Sequence, residues 1–387
     1  MAESVCHGGP TEPTGKCNLS VNLSVIASAS MKQQLTRICT FAFFAFLWVC
    51  VSVFFCWSAG AIRYLTWLPP VVGIILSVGY FVGGLYLWRL LKPKKRWLTY
   101  AAAAVIVVYL LTLTQRASNE RDWVAEQAVM PTIKITDGSV QINNFRHTTY
   151  RSESDFTPEF HDYSFELNQL TSVWFLVQRF TPLNGLAHTF ISFGLETDDG
   201  PQFFSVSVEI RREKNEIYSP IRGLYRQYEL MYVVGDERDL IGARTNMRQS
   251  DRVYMYRVNA TPEEVQKLFV EISDRSSVLH DKPEFYNTML NNCTNNIVSH
   301  TYKLTPEPIN PMDPRIAIPG YSARFAYAMG LIGNNQQPFS ELQDQCRIDE
   351  IAKRAGITES FSTDIRIRDG ISTPAPSTCD PVTPFRQ

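Results

Sequence analysis

Between Arg37 and Arg63 the chain carries no charge and reads ICTFAFFAFLWVCVSVFFCWSAGAI. A second charge-free run, YLTWLPPVVGIILSVGYFVGGLYLW, fills the interval from Arg63 to Arg89, and a third, WLTYAAAAVIVVYLLTLTQ, separates Arg96 from Arg116. About 20 apolar residues cross the hydrocarbon core as a helix. In lipid, only a helix or a closed barrel satisfies its own backbone. One such run fits a buried helix of a soluble protein; three in succession predict three transmembrane helices over residues 37–116. Trp67, Trp88, Trp97, Tyr64 and Tyr109 fall at or near run ends, where amphipathic rings anchor at the interface. Pro69 and Pro70 stand near the start of the second run, a place where proline can open a helix.

The links between runs set the expected topology. Arg89, Lys92, Lys94, Lys95 and Arg96 crowd the link from run two to run three, whereas Arg63 alone marks the first link. Positive links stay in the cytoplasm. The N-terminus is therefore expected inside, and everything beyond about residue 116 outside. Residues 1–36 read as a polar, disordered cytoplasmic tail. Met31 would itself make a good start, so the first 30 residues are expected to be a tail or an over-extended start. Cys6 and His7 lack further ligands at metal-binding spacing.

After residue 116 the chain reads as a water-soluble α+β domain with a largely antiparallel sheet. TIKITDGSVQINNF alternates around an Asp-Gly turn and predicts a hairpin. In DYSFELNQLTSVWFLVQRF, Leu167, Leu170, Val173, Trp174 and Val177 recur at helical spacing, which predicts a helix or a strand leading into one. AHTFISFGL, FFSVSVEIRRE, RQYELMYVVG and DRVYMYRVNA read as strands. Thr261, Pro262 and Glu264 form the opening of a helix with a capping box. A catalytic domain is expected over 117–335, followed by a looser extension over 336–387 with one short helix near SELQDQCRIDEIAKRAG. With 37 basic and 38 acidic side chains the formal charge is −1, which argues against a dedicated nucleic-acid binder.

Eight cysteines sort by compartment. Cys39, Cys50 and Cys56 lie in the first run, Cys6 and Cys17 in the tail, and Cys293, Cys346 and Cys379 outside. Three is odd; Cys346 and Cys379 could pair, which leaves Cys293 over. Cys293 sits in FYNTMLNNCTNNIVSH, where a loop feeds a helix at the cysteine. A thiol at a helix N-terminus has a lowered pKa, and Asn291, Asn292, Asn295 and Asn296 surround it with amides. The competing reading is a small buried residue. A thiolate needs a base, and His147, His161, His188, His280 and His300 are available. His188 starts a strand, a rigid platform, although a lone histidine there also fits a hydrogen-bonded core. His300 lies about 10 Å along the helix from Cys293, too far for contact. If Gly194 pairs with Phe203, then His188 falls opposite Glu209, which could orient the imidazole; a slip of two residues offers Ser207 instead.

AHTFISFGL, SVSVEIRRE, YELMYVVGDERDLIGARTNMR, VYMYRV and FYNTMLNNCTNN, with SNERDWVAEQAVMP and VQINNFRHTTYRSESDFTPEF upstream, resemble the bacterial family carrying the Lnb N-terminal periplasmic domain, over roughly residues 118–303. That family is similar to permuted NlpC-type papain-like thiol enzymes, in which a strand histidine precedes the cysteine; the lecithin:retinol acyltransferase group shares the order and an NC motif. The resemblance implies Cys293 as nucleophile, His188 as base and Glu209 as an acidic partner. The run 236–239, with Arg238, and Arg244 match family positions, to bind a head group or to buttress the fold. The family's named member is a lipoprotein N-acyltransferase, which implies a membrane-anchored periplasmic enzyme of the bacterial inner membrane. Its acyl chain would pass from phospholipid through a Cys293 thioester to a lipoprotein or other amine, with no metal and no cofactor. Backbone N–H groups at the start of the Cys293 helix, with Asn292 and Asn291, would hold the oxyanion. Two other classes stay open: a cysteine hydrolase of the same fold, cutting peptidoglycan or lipid, and a non-catalytic membrane scaffold.

Overall fold

A computed structural model describes residues 20–183, 185–248, 250–301, 309–310, 313–334 and 336–367. The chain forms two compact units, Met1–Leu65 with Pro69–Leu111, and Thr66–Leu68 with Thr112–Gln387. The expectations for Cys6, His7, Cys17 and Cys379 lie outside the described residues.

The first unit holds α1 (Ser20–Arg63), α2 (Pro70–Leu90) and α3 (Lys95–Thr112). Met31–Arg63, Pro70–Leu90 and Lys95–Thr112 are long and apolar enough to cross a membrane. Residues 20–36, read above as tail, are helical and belong to α1. Phe55, Trp97, Leu98 and Ala101 form a small buried cluster between the helices. Ser58 Oγ and Tyr80 Oη share a hydrogen bond of 2.8 Å, and Trp97 Nε1 donates to the Gly84 carbonyl at 2.8 Å. Most other apolar side chains of these helices point outward, as lipid-facing surfaces do.

The second unit is built on an eight-stranded sheet. Its strands are β1 (Thr132–Thr136), β2 (Ser139–Tyr150), β3 (Phe156–Glu166), β4 (Leu170–Arg179), β5 (Ala187–Thr197), β6 (Gly200–Arg211), β7 (Glu229–Asp236) and β8 (Arg252–Arg257). The order is β1-β2-β7-β6-β5-β4-β8, with β3 on β2. All pairings are antiparallel except β2 with β7, which touch at Arg146 and Gly235. Gly235 permits that approach, since a Cβ there would lie 2.4 Å from the Arg146 carbonyl oxygen.

The hairpin expected around Asp-Gly is β1–β2, with Asp137 and Gly138 both at positive φ, the turn that matches strand twist. The segment read as helical is not a helix. A short turn at residues 167–169 leads from β3 straight into β4. β4 is buried on both faces, so its apolar residues follow no strict alternation and the helical spacing is fortuitous. Val173, Phe175 and Val177 enter one core with β5 and with Phe269 and Ile272 of α5 (Pro262–Asp281); Trp174 and Leu176 enter a second core on the opposite face. α5 opens with the expected capping box, Thr261 with Glu264.

The connection after β7 contains α4 (Glu237–Leu240) and a π-helical turn, Ala243–Met247. After α5 come α6 (Cys293–Thr301), which packs on β5 and β6, then α7 (Pro314–Ala317) and α8 (Ser322–Ala328). Among the described residues beyond 335 there are three helices rather than one: α9 (Phe339–Gln345), α10 (Asp349–Ala355) and α11 (Phe361–Asp364). They bury Ile348, Ala352, Phe361 and Ile365 in the second core. Cys346 is buried and disulfide-bonded, with its partner outside the described residues.

Candidate active site

α6 begins at Cys293 because the asparagines around it are its cap. Asn292 Oδ1 accepts from the Asn295 N–H at 2.9 Å, and Asn295 Oδ1 accepts from the Asn292 N–H at 3.3 Å. This reciprocal pair satisfies two donors that the first turn leaves orphaned. The Asn292 amide also donates to the Thr288 carbonyl at 2.9 Å. Asn291 holds the Phe285 carbonyl at 3.0 Å and accepts from Asn296 at 2.9 Å. Both side chains, expected to face the oxyanion, are instead spent on shaping the turn that presents Cys293. The first N–H groups of α6 have no intrahelical acceptor by construction, and they remain the donors nearest the thiol on that helix.

Cys293 is free and 2 % exposed. The His188 imidazole and Thr189 are the groups that favour its thiolate form. Thr189 and Thr294 share a 3.0 Å hydroxyl contact, which ties the start of α6 to β5. His188 Nε2 lies 2.7 Å from Ser207 Oγ and 3.3 Å from Glu209 Oε1. Ser207 donates to Glu209 at 2.6 Å, so it accepts from the imidazole. With Nε2 turned to β6, Nδ1 is left for the thiol. The β5–β6 register pairs Gly194 with Phe203 and Phe190 with Ser207. Continued outward, it sets His188 opposite Glu209. The sequence offered Ser207 and Glu209 as alternatives; the imidazole meets both.

The charges follow from this wiring. Burial pushes the Cys293 thiol up, but the hydrogen bond and charge of His188, with Thr189, bring it below the ordinary thiol range. Burial pushes His188 down, but Glu209 and the bond to Cys293 carry it up to about 9. Burial likewise opposes the Glu209 carboxylate, yet His188 and Arg244 hold it well below the usual range. These shifts favour the ion-paired form, thiolate beside imidazolium, with the Glu209 carboxylate behind it.

Arg244 is positioned by the π-helical turn. It donates to Glu209 and to the Leu240 carbonyl, and its guanidinium lies 4.9 Å from the centre of the Phe190 ring. Arg238, grouped with it from sequence, lies elsewhere. It closes on Asp236, the cap of α4, at 2.5 Å, and does not line the cavity at Cys293. The 236–239 run is a buttress. Asp239 is buried and holds Arg146 through two bonds of 2.8 and 2.9 Å plus the Thr148 N–H, and Glu237 is buried against Arg366.

Cys293, His188, Glu209 and Arg244 line one cavity of about 610 Å3. Tyr218 and Tyr286 line it too. Burial first and the Cys293 charge second raise both phenols, Tyr218 to about 12, so they stay protonated donors beside the thiol. Sequence reasoning missed both, because one comes from the β6–β7 connection and the other from the loop before α6. The remaining histidines stand apart. His147 faces Asp236 at 3.4 Å, His161 packs on Phe145, His280 is exposed on α5, and His300 bonds Tyr232 Oη at 2.7 Å. Among the described residues no cluster of His, Cys, Asp and Glu is arranged to hold a metal.

Residues 156–318 match the family model described as the Lnb N-terminal periplasmic domain. The match contains His188, Glu209, Arg244 and Cys293 and starts downstream of the first motifs that carried the resemblance. Neither the curated proteins nor the solved structures include a match to this chain.

Proposed function

Taking residues 156–318 as an Lnb N-terminal periplasmic domain, we propose that this chain is a membrane-anchored periplasmic thiol acyltransferase that moves an acyl chain from a phospholipid to an amine such as the N-terminus of a lipoprotein. The observation that carries the reading is the relay Cys293–His188–Ser207/Glu209 at a cavity wall. The Cys293 thiolate attacks the ester carbonyl of the donor. Negative charge grows on the carbonyl oxygen, where the first N–H groups of α6 and the phenols of Tyr218 and Tyr286 are the available donors. As the C–O bond breaks, imidazolium His188 gives its Nδ1 proton to the departing alkoxide, and a thioester and a lysolipid result. An amine then attacks the thioester, His188 takes its proton, and the amide and the Cys293 thiolate leave. Glu209 and Ser207 keep the ring oriented and its second N–H occupied throughout.

A strand histidine that precedes a helix-start cysteine, with α6 packed on β5 and β6, is the order of a permuted papain-like domain. The basic link over residues 89–96 favours a cytoplasmic N-terminus and an external catalytic unit.

The test is intact-mass spectrometry of the full chain after incubation with phospholipid. A hydroxylamine-labile acyl mass is expected on the native protein and none on Cys293→Ala. Addition of an amine acceptor should then discharge the thioester into an acylated amine. A thioester that discharges only to fatty acid makes the protein a lipid hydrolase. If no adduct forms with any common phospholipid, acyl transfer from lipid is wrong.

A further inference from the structure

We infer that the end of the sheet that carries Cys293 docks directly onto the surface of the bilayer, through the tips of the β6–β7 connection and of the loop before α6. The inference concerns where the domain binds, and it stands whether or not the thiol transfers acyl groups.

β5 starts and β6 ends at the His188 end of the sheet, so the connection over residues 212–228 emerges there. The loop over residues 285–292 joins it. Phe285 bridges Glu229, the Tyr286 N–H donates to the Tyr228 carbonyl, and Thr288 bonds the carbonyls of Gly223 and Pro220 at 3.2 and 2.7 Å. Gly223 allows this contact, since a Cβ there would lie 2.3 Å from Thr288 Oγ1. The two loops are therefore one built surface.

That surface is apolar where it has no reason to be. Ile217 is 79 % exposed, Ile221 62 %, Met289 56 % and Leu290 82 %. Scattered exposed apolar residues are ordinary, but four on two linked loops form a patch of the kind that marks an interaction site. The tip that carries Met289 and Leu290 is held in shape. Asn287 and Asn291 exchange backbone bonds of 3.1 and 3.0 Å, and Asn287 Oδ1 accepts the Met289 and Leu290 N–H groups, each at 3.0 Å. Tyr218, from the same connection, lines the Cys293 cavity, so the patch is continuous with the mouth of the site.

Chain continuity and charge identify the occupant. The segment over residues 112–123 runs to this same end. Arg226 donates to the Thr112 carbonyl at 3.3 Å, the Ser118 N–H reaches Glu229 at 3.2 Å, and Trp123 bridges Glu213. Thr112 closes the Lys95–Thr112 span, so the backbone reaches this end of the sheet directly from the membrane. Along the connection Arg212, Lys214 and Arg222 are paired with Glu126, Asp122 and Glu216, and Arg226 stands beside the end of the Lys95–Thr112 span, whereas the hairpin at the far end of β5 carries Glu196, Asp198 and Asp199. Apolar tips flanked by charge-paired side chains, with the acidic hairpin about 30 Å away along the strands, suit a phospholipid surface.

The experiment places a benzophenone photocrosslinking residue at Leu290, at Ile217 or at the far-end control Asp199. It uses the full chain in nanodiscs of phosphatidylcholine and phosphatidylglycerol. The Cys293→Ala background ensures that lipid found on the protein is a photoadduct and not a thioester. Phospholipid adducts at Leu290 and Ile217, with none at Asp199, are expected. Equal adducts at all three positions, crosslinks to a second copy of the chain, or no lipid adduct at the two tips would each overturn the inference. Because the background carries no thiol at position 293, failure of the acyltransferase reading leaves this readout intact.

Discussion

A thiol that is 2 % exposed should resist ionisation, because burial penalises the anion. Cys293 is relieved of that penalty chiefly through His188, with Thr189, and His188 is held up chiefly by Glu209. The signs fix a pH window. The thiolate is present above the lowered Cys293 value, and the imidazolium is lost as pH rises through about 9. Alkylation of Cys293 by iodoacetamide, followed by intact mass against pH, should reach half its plateau below the ordinary thiol value in the native protein. In His188→Ala the midpoint should move up, to the ordinary value or beyond it. Glu209→Gln removes the largest charge that raises His188, so loss of the ion pair should begin below about pH 9. An unchanged alkylation profile in His188→Ala would sink the ion-pair account. The residues of this chain were legible to different degrees. His188 and Glu209 could be placed opposite each other because strand alternation and one turn suggest a register, and Cys293 because a loop rich in asparagine feeds a helix at that residue. Tyr218, Tyr286 and Thr189 could not, because long-range packing alone brings them to the thiol.

At the scale of the element, the start of α6 is the piece that aims Cys293. The Asn292 side chain is a cap and a brace at once, bonded to Asn295 and to Thr288. Removing a helix cap costs about 1 kcal/mol, and Asn292 also loses the brace to the loop at residue 288. Asn292→Ala should therefore lower the melting temperature of the full chain in detergent and slow Cys293 alkylation at neutral pH. Asn292→Ser keeps a capping oxygen and should recover most of the stability. If Asn292→Ala melts as the native protein does but abolishes the acyl adduct, the side chain acts on the substrate after all and the capping role is secondary. An asparagine beside a cysteine reads equally well as an oxyanion donor or as a cap, and geometry alone separates the two. The misread β4 teaches the complement. Val173–Trp174–Phe175–Leu176–Val177 is apolar at every position because both faces of the strand are covered. A continuous apolar run has no period to read.

At the scale of the molecule, the family match ends at residue 318, yet the sheet lacks cover on one face without the helices beyond it. α10 and α11 cover the face of β4, β5 and β8 opposite α5, and Arg366 closes the assembly. Its guanidinium holds both oxygens of Glu237 at 2.7 Å and stacks 3.6 Å from the centre of the Phe203 ring and 4.3 Å from that of Trp174. The polar composition beyond residue 335 hid this role, since few apolar residues, Ile348, Ala352, Phe361 and Ile365 among them, do the packing. Glu237 is fully buried, so its charge has no water to fall back on. Breaking a buried pair from one side costs about 3–5 kcal/mol, whereas replacing both partners with neutral groups can cost far less. Arg366→Met should therefore destabilise the full chain strongly, read as a fall in melting temperature by tryptophan fluorescence. Adding Glu237→Gln should restore a substantial part of the loss, although it removes a second native group. Were the double variant no better than Arg366→Met, the cost would lie in the aromatic stacking of the guanidinium rather than in the stranded carboxylate. Were Arg366→Met itself harmless, the C-terminal helices would be an accessory to the sheet unit and not its second wall.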